Sequence, residues 1–256
     1  MDFHSRENRL SYTTRDADDS WKDAMSSLVP VDKIANALDI GCGGGIYAKA
    51  LADMGIENIT AMDFSEEILA GAREHAAEYS GIQFRQGNAY DTGLEGGSFQ
   101  LLLERALIHH LSDIQLAVDE AHRILEKDGY YIIQDRTLAN CLEPGSASHI
   151  RGYFFEQFPR LIENEKRRRP SRDVVVSALK RAGFKQIEEQ KLWETRQVHE
   201  SKDRLLQDLQ ERNGRSILHE LDDEELNHLL QRISGELKAD GPVIEKDCWT
   251  IWKAVK

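Results

Sequence analysis

The 256-residue chain is poor in cysteine. Cys42, Cys141 and Cys248 are too few and too scattered for a disulfide framework, and their number is odd. No apolar run approaches the roughly 18 residues that span a bilayer. The first twenty residues, MDFHSRENRLSYTTRDADDS, lack the apolar core of a secretory signal. An intracellular, reduced, cytoplasmic protein is therefore expected. Basic charge is also short: a formal net charge of −12 repels nucleic acid and anionic membranes, so neither is an expected partner. The one basic run, Arg167-Arg168-Arg169, reads as a solvated patch beside Pro170. Catalytic signatures are missing too. No G-x-S-x-G offers an acyl-transfer nucleophile. His219-Glu220 is followed by Leu221-Asp222-Asp223, not the second histidine of a zinc protease, and there is no Cys-x-x-Cys, so no metal is expected. There is no internal repeat.

What is present is an apolar share of 40% and a charged share of 30%, the composition of a globular protein. Short apolar runs alternate with helical patterns from about residue 35 to 135. Residues 36–40, 58–63, 82–86, 98–104 and 130–134 read as strands. Residues 45–54 read as a helix closed by Gly55, and Ser65 as a helix N-cap with Glu66 and Glu67 in the first turn. Ser112 and Gln115 read as a capping box. This β-α-β-α order predicts a doubly wound parallel sheet. Ser171 opens a further helix that ends at Gly183, a strand follows near 185–197, and a helical block near 201–238 starts from an Asp222/Glu225 capping box. The last segment, IEKDCWTIWKAVK, reads as a strand, with Trp249 and Trp252 as packing residues. It is expected to pair antiparallel with the 185–197 strand at one edge.

The stretch ALDIGCGGGIYAKAL, residues 37–51, puts a glycine loop between the first strand and its helix. Such loops let a backbone approach a ligand. From Gly43 the frame Gly43-x-Gly45-x-x-Ala48 matches a dinucleotide loop by letter, whereas the frame from Gly41 fails at Ile46. Asp63 ends the second strand, where an acid takes a ribose diol. Asp39 precedes the glycines at the ligand end of the sheet. A pyrophosphate there would feel a repulsion of roughly 1–4 kcal/mol at about 4 Å, whereas an ammonium or sulfonium would be attracted. The competing reading is that Asp39 caps the turn or joins a salt bridge.

Five segments in order resemble the class I S-adenosylmethionine-dependent methyltransferases, of the methyltransferase-11/25 kind. Asp39-Ile40-Gly41-Cys42-Gly43-Gly44-Gly45 resembles their first motif, and Asp63 with Phe64 falls where that family holds the ribose. Gly87-Asn88-Ala89 resembles its adenine-reading G-D-A, with Asn for Asp. Phe99–Leu103 with Ala106–Leu111, then Glu120–Leu125 with Asp128-Gly129, resemble the fourth strand and the approach to the fifth. The resemblance covers roughly residues 35–136. It implies a Rossmann-like, seven-stranded, mostly parallel sheet with an antiparallel last strand, and S-adenosylmethionine as cofactor, giving S-adenosylhomocysteine. Asp39, Gly41, Gly43, Gly45, Asp63, Phe64, Asn88, Ala89, Glu104 and Arg105 are the implied cofactor residues.

A single domain is expected over 1–256: an N-terminal cap helix within 1–34, a core over 35–136, a substrate lid over 137–169, and 170–256 with a helical insertion near 201–238. Tyr12 and Arg15 precede an amphipathic helix, carrying Trp21, Met25 and Leu28, that would cover the cofactor. His109 and His110 follow the fourth strand and are candidate bases if the acceptor must lose a proton. Arg136, His149, Arg151 and Tyr153 are candidate substrate residues, the arginines, with Arg105, for an anionic acceptor. The alternative is that the aromatics are core and the arginines pair with acids. The function expected is methyl transfer to a small molecule by a monomer or homodimer. An NAD(P)-dependent oxidoreductase, a non-catalytic S-adenosylmethionine binder and an RNA or protein methyltransferase are the alternatives.

Overall fold

The structure, a computed structural model, describes residues 16–212, 214–237 and 241–256. Tyr12 and Arg15 lie outside them. Seven strands form one sheet in the order β3-β2-β1-β4-β5-β7-β6. These are β1 (Asn36–Ile40), β2 (Asn58–Asp63), β3 (Ile82–Gln86), β4 (Phe99–Arg105), β5 (Leu125–Asp135), β6 (Lys185–His199) and β7 (Val243–Val255). β1 to β5 run parallel, and β7 pairs antiparallel with β5. The expected α/β fold with its antiparallel last strand is thus present. β6 and β7 are neighbours at one edge, as their long intervening excursion suggested.

The helices are α1 (Asp19–Leu28), α2 (Ile46–Asp53), α3 (Glu66–His75), α4 (Ile114–Ile124), α5 (Leu138–Cys141), α6 (Ile150–Gln157), α7 (Leu161–Arg168), α8 (Arg172–Ala182), α9 (Lys202–Gln210) and α10 (Asp223–Glu236). Local chemistry sets their ends. Ser65 caps α3 and Ser171 caps α8, each hydroxyl accepting the N–H three residues on. Gly183 ends α8 with φ of 99°. Asp222 and Glu225 form the reciprocal box that starts α10. One cap differs from expectation. Asp113, not Ser112, caps α4 and accepts from Gln115 and Leu116. Tyr90 takes the Ser112 N–H and faces its hydroxyl, and the carboxylate one residue later is the stronger acceptor. β5 also starts five residues earlier than its apolar run, at Leu125.

Contacts divide the chain into two compact units. Among the described residues, the sheet unit comprises 16–135, 170–192 and 250–256, and the helical unit comprises those of 136–169 and 193–249. In the sheet unit, Leu38, Ile40, Leu102, Tyr131 and Ile133 pack with Val118 and Ala121 of α4 and Val175 and Leu179 of α8. The helical unit has its own core. Ile150, Tyr153, Phe154 and Phe155 meet Leu205 and Leu209 of α9 and Leu226, Leu229 and Ile233 of α10. The aromatics expected in a lid are therefore buried packing residues. The run Arg167–Arg169 is not a solvated patch as a whole: Arg169 is buried and pairs with Glu165 one turn earlier, where Arg168 also bonds.

Candidate active site at the carboxyl edge of the sheet

The register of the strands decides which side chains meet. Cross-strand partners share a face of a parallel sheet. Asp39 pairs with Ala61 and Leu103, whereas Ile40 pairs with Met62 and Glu104. Asp39, Asp63 and Arg105 therefore share one face, and Glu104, Tyr131 and Asp135 share the other. On the first face, the Trp21 indole of α1 donates to Gln134 at 2.8 Å. Trp21 also meets the Tyr47 ring of α2 edge-on at 4.9 Å, and the Arg105 guanidinium lies over Tyr47 at 4.0 Å. The sequence reading had no signal for Tyr47, because its ring partners lie 26 and 58 positions away.

Between β1 and α2 the backbone turns through Gly41, Gly43 and Gly45, with φ of 74°, 53° and 78°. L-residues avoid this region. A Cβ on Gly41 would stand 3.0 Å from Leu107, and one on Gly45 would stand 3.2 Å from Phe84. The Gly43 N–H donates to Asp63 Oδ2 at 3.0 Å, and the Ser65 N–H to Oδ1 at 3.0 Å. Asp63 thus ties the glycine loop to the end of β2. Beside it, Phe64 is 63% exposed, an unusual position for a phenyl ring.

Asp39 is 1% exposed, and its Oδ2 has no hydrogen-bond partner. Burial and the nearby Asp63 push its pKa up to about 7, against the pull of Arg105 and the Ala48 amide. The Ala48 amide, in the first turn of α2, acts on this carboxylate, while its Oδ2 stays open. Glu104 is likewise raised to about 7, chiefly by burial, and the Tyr131 hydroxyl lies beside it without reaching hydrogen-bond geometry. Its face separates it from Asp39 and Arg105, which sequence position had grouped with it. Asn88 is exposed, and its side-chain oxygen accepts the Tyr90 N–H at 2.9 Å, leaving one lone pair and the amide hydrogens for other contacts. Ala89 is buried against the sheet core.

The chain leaves β4 through Ala106, whose φ of 53° is left-handed without glycine's freedom. A short 3₁₀ turn, Ile108–His110, follows. His109 Nδ1 lies 2.8 and 3.0 Å from the two oxygens of Asp135, at the end of β5. The His109 N–H also donates to Asp135, at 3.3 Å. The exposed His110 ring lies 4.0 Å from that of His109. Asp135 was not among the expected site residues. Its only sequence signal is an acid closing an apolar strand.

The candidate substrate residues fall in the helical unit. Arg136 and Arg151 both bind Asp247, Arg151 at 3.2 Å, and the Arg136 guanidinium also lies 3.7 Å from the centre of the Trp249 ring. Burial lowers Arg136 to about 9, partly restored by Asp247, which the arginines hold well below the usual carboxylate range. His149 Nδ1 bonds the Pro144 carbonyl at 3.1 Å, and its buried Nε2 has no partner. Tyr153 packs in the helical core. His199, Asp208 and Glu245 also converge, with one ligand atom of each within 4.8 Å of the others. Arg215 bridges Asp208 and Glu245 at 2.5 Å each, so a guanidinium supplies the positive charge there. A cleft of about 390 Å³ beside them is lined by His199, Arg204, Asp208 and Glu211, none of them an expected site residue.

A family model described as "Methyltransferase domain" matches residues 38–133, from within β1 to within β5, less than half of the chain. Residues 38–133 are therefore similar to a methyltransferase domain. The chain is 29% identical over 108 residues to a ubiquinone biosynthesis O-methyltransferase of Bartonella tribocorum. The match covers 42% of this chain and 43% of that relative, so less than half the relative's length is spanned. The fold is similar to that of phosphoethanolamine N-methyltransferase 2 of Haemonchus contortus, solved with phosphomonomethylethanolamine and S-adenosylhomocysteine. The TM-score is 0.61 at 18% identity, covering 100% of this chain and 60% of that one. It is also similar to the [4+2]-cyclase SpnF, with TM-score 0.57 at 16% identity over 93% of this chain and 80% of that one. No described helix is long and apolar enough to cross a membrane.

Proposed function

We propose that the chain transfers a methyl group from S-adenosylmethionine to a small-molecule acceptor. The observation that carries this reading is Asp39: a buried carboxylate with an unpartnered oxygen, at the foot of a glycine loop. An uncompensated buried charge is costly, and a cationic ligand offsets that cost. A dinucleotide pyrophosphate would add to it, which disfavours the NAD(P) alternative. The residues fit an adenosyl ligand with a charged amino-acid tail. Asp63 would accept from ribose hydroxyls, Phe64 would cover the adenine, and Asn88 and Ala89 would meet its edge. Gly41, Gly43, Gly45, Asp39 and Arg105 would hold the tail. Glu104, on the other face, is left out of this set.

When bound, the donor supplies a methyl carbon activated by positive sulfur. The chain's task is to align the acceptor, exclude water and take a proton where the acceptor carries one. A small-molecule acceptor is supported by the relatives' names and by the net charge of −12, which disfavours RNA. Because a cyclase shares the fold, binding and turnover are tested separately. Thermal shift with S-adenosylmethionine, S-adenosylhomocysteine and NAD(P)H comes first. Stabilisation by NAD(P)H alone sinks the proposal. Asp63→Ala is expected to weaken S-adenosylhomocysteine binding by about 1–3 kcal/mol, read by calorimetry. Transfer of label from methyl-labelled S-adenosylmethionine to a metabolite extract then tests turnover.

A further inference from the structure

We infer that Asp135 is a positioning residue that fixes the tautomer of His109, making Nε2 of His109 the proton acceptor for the substrate's nucleophile. The inference rests on the methyl-transfer reading, but its geometry stands by itself. Asp135 is fully buried, and both of its oxygens face Nδ1, at 2.8 and 3.0 Å. A carboxylate only accepts hydrogen bonds. Nδ1 therefore carries the proton, and in the neutral ring Nε2 carries the lone pair. No described residue hydrogen-bonds to that Nε2, nor is it among the sealed, unpartnered buried atoms. The same Asp135 oxygen that lies 2.8 Å from Nδ1 takes the His109 backbone N–H, so ring and backbone are held together.

The turn that carries His109 is also placed against the glycine loop. Leu107, two residues earlier, lies where a Cβ on Gly41 would stand only 3.0 Å away. The left-handed Ala106 makes that return possible, with its N–H bonded to the Gln134 carbonyl at 2.8 Å. Strain of this kind persists where surrounding structure over-determines it. Among the described residues, the titratable groups facing the pair include Glu104 of β4, Tyr131 of β5 beyond it, and His110 of the same turn. His110 is exposed, and its sequence claim to be the base equals that of His109, so Asp135 is what separates them.

The step is a proton transfer. The acceptor's O–H or N–H bond breaks, its proton goes to Nε2, and its electron pair stays to form the bond to the methyl carbon. The imidazole becomes imidazolium, facing the Asp135 carboxylate. Asp135 contributes through orientation and charge, not by accepting the proton.

Two measurements on the full chain test this. The first is nitrogen-15 NMR of the histidine rings of the ligand-free protein, at a pH where they are neutral, with His109 assigned by its loss in His109→Gln. The expected pattern is Nδ1–H, shifting toward Nε2–H in Asp135→Asn. An Nε2–H pattern for His109 in the wild type overturns the inference. The second is turnover of methyl-labelled S-adenosylmethionine with a metabolite extract. Asp135→Asn is expected to lower turnover about 100-fold, a usual size for lost acid–base help. Its affinity for S-adenosylhomocysteine should stay within about twofold, because Asp135 lies off the cofactor face. The double variant should be no slower than His109→Gln alone. Additive losses would mean that Asp135 acts only structurally, and overturn the inference. If the wild type methylates nothing, the methyl-transfer reading fails, while the NMR pattern still decides the tautomer.

Discussion

Two buried carboxylates in the helical unit and two in the sheet unit are treated in opposite ways. In the helical unit, Glu245 sits between Arg215, Arg196 and His199, and Glu165 between Arg168 and Arg169. These partners hold both carboxylates down to about 2. In the sheet unit, Asp39 and Glu104 keep unpartnered oxygens, and burial raises both to about 7. A carboxylate closed by arginines is part of the architecture. One left open at the carboxyl edge of a parallel sheet is where an open α/β sheet binds its ligands. The contrast supports the proposed site more sharply at Asp39 than the glycines do, because the glycine loop alone also matched a dinucleotide frame.

The strongest way to break this contrast is to open a closed pair. Arg215→Ala leaves Asp208 and Glu245 without their shared guanidinium, and Glu245 is almost fully buried. It is expected to destabilise the protein by about 3–5 kcal/mol in urea unfolding. A change below about 1 kcal/mol would mean that the network is idle.

Next in size is the response to pH. Asp39 and Glu104 bind protons more tightly folded than unfolded, where their ordinary values are 3.8 and 4.5. Their contribution is full below about pH 4 and is lost as pH rises through about 7. Glu165 and Glu245 have the opposite sign: their contribution is full above about 4.5 and is lost as pH falls toward about 2. The double variant Asp39→Asn/Glu104→Gln should therefore flatten the decline in stability between pH 4 and 7. The flattening should be about 1–3 kcal/mol across that range, read by unfolding at fixed pH values. A wild type whose stability rises throughout that range would contradict the contrast. Because Asp39 must be ionised to meet a cation, the affinity for S-adenosylmethionine should rise as pH passes about 7.

Much of the sheet unit was legible in the sequence for a local reason. Strand bounds at 58–63 and 82–86, the caps at Ser65 and Ser171, and Gly183 all follow from residues within a few positions. The Asp113 cap was missed because Tyr90, which engages Ser112, lies 22 positions away. Asp135 escaped notice for the same reason, since its partner is 26 positions back and the two meet only through the β4–β5 register. The helical unit was less legible. Its aromatics in α6 bury against α9 and α10, fifty or more residues later, so the sequence did not show these partners. Asp39 lay between: its position was readable, but its missing partner was not.

The smallest test concerns Ala106. Glycine there relieves the left-handed backbone but loosens the unfolded chain, so Ala106→Gly should raise stability by only about 0.5 kcal/mol. A gain in stability with a fall in turnover would tie the strain to the site.

The sparse cysteines acquire a use from where they lie. Cys42 is in the glycine loop, and Cys141 and Cys248 are in the helical unit; all three are buried thiols outside any disulfide. Burial pushes the Cys42 thiol far up and Cys141 up as well, so neither reacts readily from the closed state. Each thiol becomes available to an alkylating reagent when its own surroundings open. Labelling followed by peptide mass spectrometry would thus time the opening of the loop and of the helical unit separately, in one sample and without a mutation. A ligand seated on the loop would slow the Cys42 clock and leave the other two running.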